Sequence, residues 1–362
     1  MSAEYKIRAS TPAGVLIDEF TDFLQVGYRK VVNDEGLATI VLPGNHPVIG
    51  ELENRSQIEL WRRDQLLGLD WAADFHGLYL DQQRDYEDSE VFTMACPEIK
   101  WLLGTRHVLW YANTANRSVF ITEAAESIMK TLVDYNCGPN ATTGNGRLRN
   151  GTITGLSIQT DDWNGYLLNV YCAWANVLEI LQEVAAVGGG DFDLVKTGAQ
   201  AWEFRWYNGQ LGTNRASTLT FSLAFGNMAN PRYRYNRRAE KTVAIAAGQG
   251  EQSARDTAVR TSGDYGVNND TEVFVDAREV EKGNIAGLQH KADTRLAERR
   301  AIEEFSFDVL QTPSCAYGVH YFLGDLVSAE WGDITATEKV VGVSISVEPD
   351  GSERIDVEME TQ

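Results

Sequence analysis

Paired carboxylates beside aromatic rings are the first arrangement in this 362-residue chain that could do chemistry, in Asp161-Asp162-Trp163 and in Asp70-Trp71. A glycosidase needs two carboxyl groups flanking the scissile bond, about 5 Å or about 6.5–9.5 Å apart. With 52 acidic residues in the chain such neighbours arise by chance, and their separation in space is not written in the sequence. The five histidines, His46, His76, His107, His290 and His320, are scattered, and none stands in H-E-x-x-H or another ligand spacing. No G-x-S-x-G elbow occurs. Gly248-Gln249-Gly250 opens like a dinucleotide-binding loop, but Ser253 stands where the third glycine belongs, and a flexible turn is the better reading. Asp264, Asn268, Asn269, Asp270 and Glu272 supply oxygen ligands without the EF-hand pattern, which favours a solvated loop. The expectation is a chain with no catalytic residue, no metal site and no cofactor.

The remaining chemical motif is Arg232-Tyr233-Arg234-Tyr235-Asn236-Arg237-Arg238. Arginine and tyrosine together can grip phosphates and stack on bases. The alternation equally suits a strand with arginines on one face. The net charge is −20, from 52 acidic against 32 basic side chains, and so acidic a surface repels nucleic acid. Arg232, Arg234, Arg237 and Arg238 therefore read as a strand-edge or subunit contact.

Composition sets the class. A hydrophobic content of 43% with 9 Trp, 14 Tyr and 13 Phe is that of a folded globular protein, and the length suggests two or three domains. No run of eighteen apolar residues occurs, and Met1 to Phe20 is not a basic-then-apolar leader, so neither a membrane span nor a secretory signal is expected. Cys96, Cys137, Cys172 and Cys315 lie far apart without a C-x-x-C pair, which reads as buried thiols made in a reducing cytosol.

The elements that must position these residues are mostly strands. In residues 1–95, Phe23, Val26 and Tyr28 lead into the turn Asn33-Asp34-Glu35-Gly36 and the run Leu37 to Leu42. Pro43-Gly44-Asn45-His46-Pro47 breaks that run. Strands follow at Gln57 to Arg62, Asp74 to Leu80 and Val91 to Ala95, with a polar hairpin at Gln82 to Ser89. In residues 96–231 the period changes. Pro97 opens a short helix to Leu103. Ile121, Ala125, Ile128, Leu132 and Tyr135 predict an amphipathic helix capped by Thr122. After the Gly138 to Gly151 loop, Val177 to Val187 predicts a helix stopped by Gly188-Gly189-Gly190. Trp202 to Tyr207 predicts a strand with Asn208-Gly209 as its hairpin turn, and Leu219 to Phe225 another.

In residues 232–362, strands are predicted at Thr242 to Ala247 and Glu272 to Asp276. A helical insertion at about 276–303 pairs Arg299 with Glu303. The alternating runs at Phe305 to Val309, Tyr317 to Val327, Val341 to Val347 and Ile355 to Met359 then form a small sheet or barrel, with Glu348 to Ser352 as a turn. The class is α+β: two small β-barrel or sheet domains, 1–95 and 232–362, with mixed α/β material inserted at 96–231.

Several stretches resemble one family. Leu223-Ala224-Phe225-Gly226-Asn227-Met228, then Ala247-Gly248-Gln249-Gly250-Glu251 with Arg255 downstream, are similar to the baseplate or tail hub proteins of long-tailed (siphovirus-type) bacteriophages. So are Tyr321-Phe322-Leu323-Gly324-Asp325-Leu326-Val327 before the last hairpin, and the Tyr28 to Leu42 hairpin ahead of Gln57-Ile58-Glu59-Leu60-Trp61-Arg62. The likeness runs from about residue 20 to 360 in short, degenerate motifs. It implies two barrels per subunit and a homotrimer whose six barrels adapt a six-fold tail tube to a three-fold tip. The implied partners are a distal tail ring or tail tube protein, the tape measure protein and tip or fibre proteins, with DNA passing through unbound. The implied location is the virion tail tip, after assembly in the host cytoplasm. Many relatives continue into a peptidase, lysozyme-like or fibre domain. This sequence ends at Gln362, so the expectation is that lytic or receptor-binding activity sits on another chain.

Two other classes stand against this structural reading. A glycan-cleaving or glycan-binding protein would bring two carboxyls together beneath an exposed Trp. A small-molecule enzyme would show a ligand pocket that no motif here signals.

Overall fold

The computed structural model describes residues 3–86 and 88–362. The N-terminal region folds as eight strands: β1 (Glu4–Ser10), β2 (Leu16–Phe20), β3 (Gln25–Val31), β4 (Leu37–Pro43), β5 (Gln57–Asp64), β6 (Leu69–Leu78), β7 (Asp81–Tyr86) and β8 (Glu90–Pro97). β1 and β2 precede the first predicted strand. β1 turns Tyr5, Ile7 and Ala9 inward and Lys6 and Arg8 outward, the period-two pattern of a sheet covered on one face. An antiparallel sheet runs β2-β1-β5-β6. Pro97 does not open a helix. It closes β8 opposite Leu37 at the last rung of that ladder, where a missing N–H matters least.

The central region carries α1 (Trp101–Gly104), β9 (Ser118–Ala124), α2 (Ala125–Asn136), β10 (Leu156–Ile158), β11 (Leu167–Cys172), α3 (Val177–Gly188), β12 (Gly190–Gly198) and β13 (Ala201–Asn208). α3 forms where the period required, capped by Asn176 on the Leu178 N–H and ended by Gly189 at φ 74°. α2 starts later than its pattern suggested. Ile121 and Thr122 belong to β9, and Thr122 is not the cap. The free N–H groups of Ala125 and Glu126 donate instead to the carbonyls of Tyr166 and Asn164, so a distant segment does a cap's work. Asn208-Gly209 is not the hairpin turn either. β12 and β13 turn at Ala199-Gln200, because pairing Phe192 with Trp206 and Leu194 with Phe204 buries those rings on one face. β10-β13-β12 form one sheet and β9-β11 a two-stranded ribbon.

The rest of the chain forms β14 (Thr220–Ser222), β15 (Met228–Asn236), β16 (Val243–Ala247), β17 (Thr257–Thr261), β18 (Glu272–Asp276), α4 (Ile285–Glu298), β19 (Ile302–Val309), β20 (Leu326–Trp331), β21 (Ile334–Val347) and β22 (Glu353–Thr361). β17 lies between the strands predicted at Thr242 to Ala247 and Glu272 to Asp276, where no strand was predicted. α4 stops at Glu298, so Arg299 and Glu303 are not a helical pair: Arg295 meets Glu298 at 2.6 Å, and Glu303 accepts from the Tyr233 hydroxyl. Of the Tyr317 to Val327 run, only Leu326 and Val327 enter a strand; Tyr317 and Tyr321 are buried core residues in a coil. A bulge at Val341 turns Val340 inward in its place.

The long strand β21 unites the two ends of the chain. Its first half pairs with β20 and its second half with β3, from Gly342 opposite Val31 to Val347 opposite Val26, while β22 takes the other side. The resulting eight-stranded sheet runs β14-β20-β21-β3-β4-β8-β7, with β22 attached to β21. One hydrophobic core serves both ends, packing Ile7, Ile40, Ile58 and Phe92 with Phe305, Val327, Val343 and Ile345. A second core lies under α2 and α3, and a third packs Leu288, Ala292 and Leu296 of α4 on β16. The fold is thus mostly sheet with few helices, as the α+β class required, but barrel closure is not formed among the described residues. The large sheet ends on the three-residue β14 and on β7, whose side chains are all exposed, so neither edge has a partner to close on. No helix among the described residues is long and apolar enough to cross a membrane.

Candidate assembly surfaces

The groups weighed for catalysis lie apart and are engaged elsewhere. His46 caps a short turn and faces Asp22 at 3.2 Å. His320 accepts the Ala316 N–H, and His107 lies in a backbone bridge with Asn176. Burial pushes His76 and His290 down to about 4, in different parts of the fold. The four cysteines are buried and free, and burial raises each thiol, Cys137 and Cys172 to about 12 and Cys315 to about 11. Asp161 spends one oxygen on the Trp163 N–H, while Trp71 lies under Lys6 and Arg63. Asp264 faces Arg237 at 3.7 Å, and among the described residues no group of three His, Cys, Asp or Glu side chains is placed to hold a metal ion. The Gly248-Gly250 loop is clamped rather than open. Arg255 donates to the carbonyls of Ala247 and Gly248 and to Asp276 at 2.6–2.9 Å.

The buried charges are structural and tie the two ends of the chain together. Lys30 on β3 reaches Asp74 on β6 at 2.8 Å; Asp74 also accepts from Tyr28 at 2.7 Å and from Tyr317 at 3.1 Å. Burial opposes the Asp74 charge, but Lys30 and the two hydroxyls hold its carboxyl below the usual range. Beside it Arg62 of β5 forks onto Glu353 of β22 at 2.7 and 3.1 Å and donates to the Tyr5 hydroxyl at 3.0 Å. A second seam joins the large sheet to the inserted region: Lys100 meets Glu98 and Asp193, and Lys339 meets Asp191, which also accepts from Asn33.

The basic stretch supplies the end of the exposed strand β15, paired among the described residues on one side only, with β19, and Arg237 and Arg238 lie in the turn beyond it. Its four arginines are not equivalent. Arg237 folds back onto buried Glu240 at 2.7 and 2.9 Å. Arg234 stands 3.9 Å from Glu304, with both side chains more than half exposed. Arg232 and Arg238 are exposed and make no ion pair among the described residues. Sequence reasoning missed a second surface, on the β9–β11 ribbon. Ile121, Trp163, Tyr166 and Leu167 are 52–67% exposed there. Trp163 is held at φ 60° by the Asp161 carboxylate on its N–H, and its indole N–H donates to Glu123 at 2.8 Å. The adjacent Asp161-Asp162-Trp163 was its only trace in the sequence.

Residues 6–359 match the Siphovirus ReqiPepy6 Gp37-like protein family. The chain belongs to that family. Among curated proteins no sequence matches it. Solved structures share the fold over the whole length. The tail protein from Neisseria meningitidis MC58 aligns with a TM-score of 0.58 at 11% identity, covering 100% of this chain and 97% of that one. The 43 kDa tail protein of prophage MuSo2 from Shewanella oneidensis gives 0.57 at 11% identity, covering 99% and 97%. Prophage tail protein gp18 from Listeria monocytogenes EGD-e gives 0.54 at 10% identity, covering 99% and 94%. The Gp37-like chain therefore has a phage tail-protein fold, and the hub resemblance of its short motifs agrees with its family.

Proposed function

We propose that this Gp37-like chain is a structural hub of the phage tail tip, acting as a trimeric ring that closes the tail tube and adapts its six-fold symmetry to a three-fold tip. The observation that carries the proposal is the full-length match to tail-protein folds, with both chain ends built into one sheet. A distal tail ring or tube protein above, the tape measure protein within and tip or fibre proteins below are its partners. Part of the acid surplus lines the axial channel, where like charge lets DNA pass without binding. The test is copy number in assembled tails, by cryo-electron microscopy or quantitative mass spectrometry. Three copies per tail are expected, and six or one would overturn the symmetry-adapting role.

The role is non-catalytic. Purified chain incubated with peptidoglycan or a neutral polysaccharide is expected to release no new reducing ends or muropeptides. Reproducible cleavage abolished by a single Asp or Glu→Ala change would replace this proposal with the glycan-cleaving one.

A further inference from the structure

We propose that the β15 edge of one copy docks on the β9–β11 ribbon of the next, joining a basic strand to an acidic, aromatic surface of the same chain. The inference rests on the ring reading above and names the surfaces that close it.

Three observations converge. First, β15 is an unprotected edge. Its sheet has two strands among the described residues, with Arg232 and Arg234 on one face, Tyr235, which is 55% exposed, on the other, and Arg238 in the turn just beyond its end. Unpaired edges are normally covered. Second, the ribbon and the loop leading into it expose large apolar side chains, Ile121, Trp163, Tyr166 and Leu167. Leu167 pairs with Ala124 and Leu168 with Glu123, whose carboxylate holds the Trp163 indole, while Asn169 accepts the Thr122 N–H next to Ile121. Trp163 combines a left-handed backbone, which a tryptophan adopts only under constraint, with a ring that is both fixed and 59% exposed. A rigid, exposed Trp among Tyr, Leu and Ile is the composition of an interface anchor. A cleft of about 230 Å³ adjoins the ribbon, lined by Leu167, Leu168 and Val187 and by the polar Asn169, Arg260 and His290.

Third, the charges are complementary. Asp161 and Asp162 rim the ribbon, exposed and without an ion pair among the described residues, as are Arg232 on β15 and Arg238 just past its end. Two different surfaces meeting head to tail make a heterologous contact, which generates rings when the rotation closes. In a chain of net charge −20, contact between copies is otherwise repulsive, so juxtaposing this basic strand with this acidic rim fixes the register.

The experiment uses the purified full chain. Self-association is measured by sedimentation velocity for the parent, for Arg232→Glu/Arg238→Glu, for Asp162→Arg, and for the three substitutions combined, with Asp161 left in place because it holds Trp163. None of the three residues carries an internal ion pair among the described residues, and near-UV circular dichroism checks that each variant is folded. Each of the first two variants is expected to associate at least about 30-fold more weakly, the combined variant to recover, and added salt to weaken the parent. A parent that assembles with all variants unchanged overturns this pair of surfaces and leaves the ring standing. A parent that stays monomeric at every concentration overturns self-docking through these surfaces, and the ring itself then stands or falls on copy number in assembled tails.

Discussion

Asp74→Ala is expected to cost about 3–5 kcal/mol, a large part of the about 5–15 kcal/mol that holds a domain folded. The loss is more than one ion pair. Removing the carboxylate leaves the half-buried Lys30 ammonium unpaired and the buried hydroxyls of Tyr28 and Tyr317 without their shared acceptor. These groups come from β3, β6 and the coil before β20, so the damage falls on the joint between the two ends of the chain. Urea unfolding followed by tryptophan fluorescence measures it. Replacing the pair together, as Lys30→Met with Asp74→Leu, is expected to recover most of the loss, because two buried charges and their desolvation are removed at once. A loss under about 1 kcal/mol for Asp74→Ala would show that the network contributes little. Since Asp74 is held below its ordinary range, its contribution is complete above the unfolded-state value of about 4 and fades as pH falls through the lower folded value.

Glu338→Gln is expected to act in the opposite direction and stabilise the chain by about 2 kcal/mol at pH 8. Glu338 on β21 is fully buried; one oxygen accepts the Thr361 hydroxyl at 2.9 Å and the other has no partner. Burial pushes its carboxyl up from 4.5 to about 7, with Glu360 and Glu303 adding to the rise. The folded state therefore holds the proton more tightly than the unfolded state. Stability from this group is complete below the unfolded value of 4.5 and declines as pH rises to about 7. The glutamine variant carries no such titration, so the two proteins should be equally stable at pH 4 and diverge toward pH 8. Parallel curves across that range would mean that solvent or a counter-charge reaches the carboxylate.

Where structure depends on near neighbours, the amino-acid order was enough. Glu272 to Asp276 was legible as a strand and forms β18 over those same residues; Asn33 to Gly36 turns β3 into β4; Val177 to Val187 repeats at helical spacing and Gly189 ends α3 in the left-handed region. The β15 arginines were likewise visible as a strand. Which of them is available was decided by folding, since Arg237 is taken by Glu240 and Arg232 and Arg238 are left outward. Pairing across distance was not legible, because a strand's hydrophobic period states which face is buried and not which strand will lie beside it. Hence β21 beside β3, the Lys30–Asp74–Tyr317 network and the β12–β13 register emerge only in three dimensions. The same limit explains the local misreadings. Pro97 is a strand end because Leu37 lies opposite, and α2 needs no Thr122 cap because Tyr166 and Asn164 satisfy its first N–H groups. The Trp163 surface follows suit. Nothing in Asp161-Asp162-Trp163 says that Glu123 will fix the indole with its face to solvent, and tertiary structure alone made that ring an exposed, held aromatic.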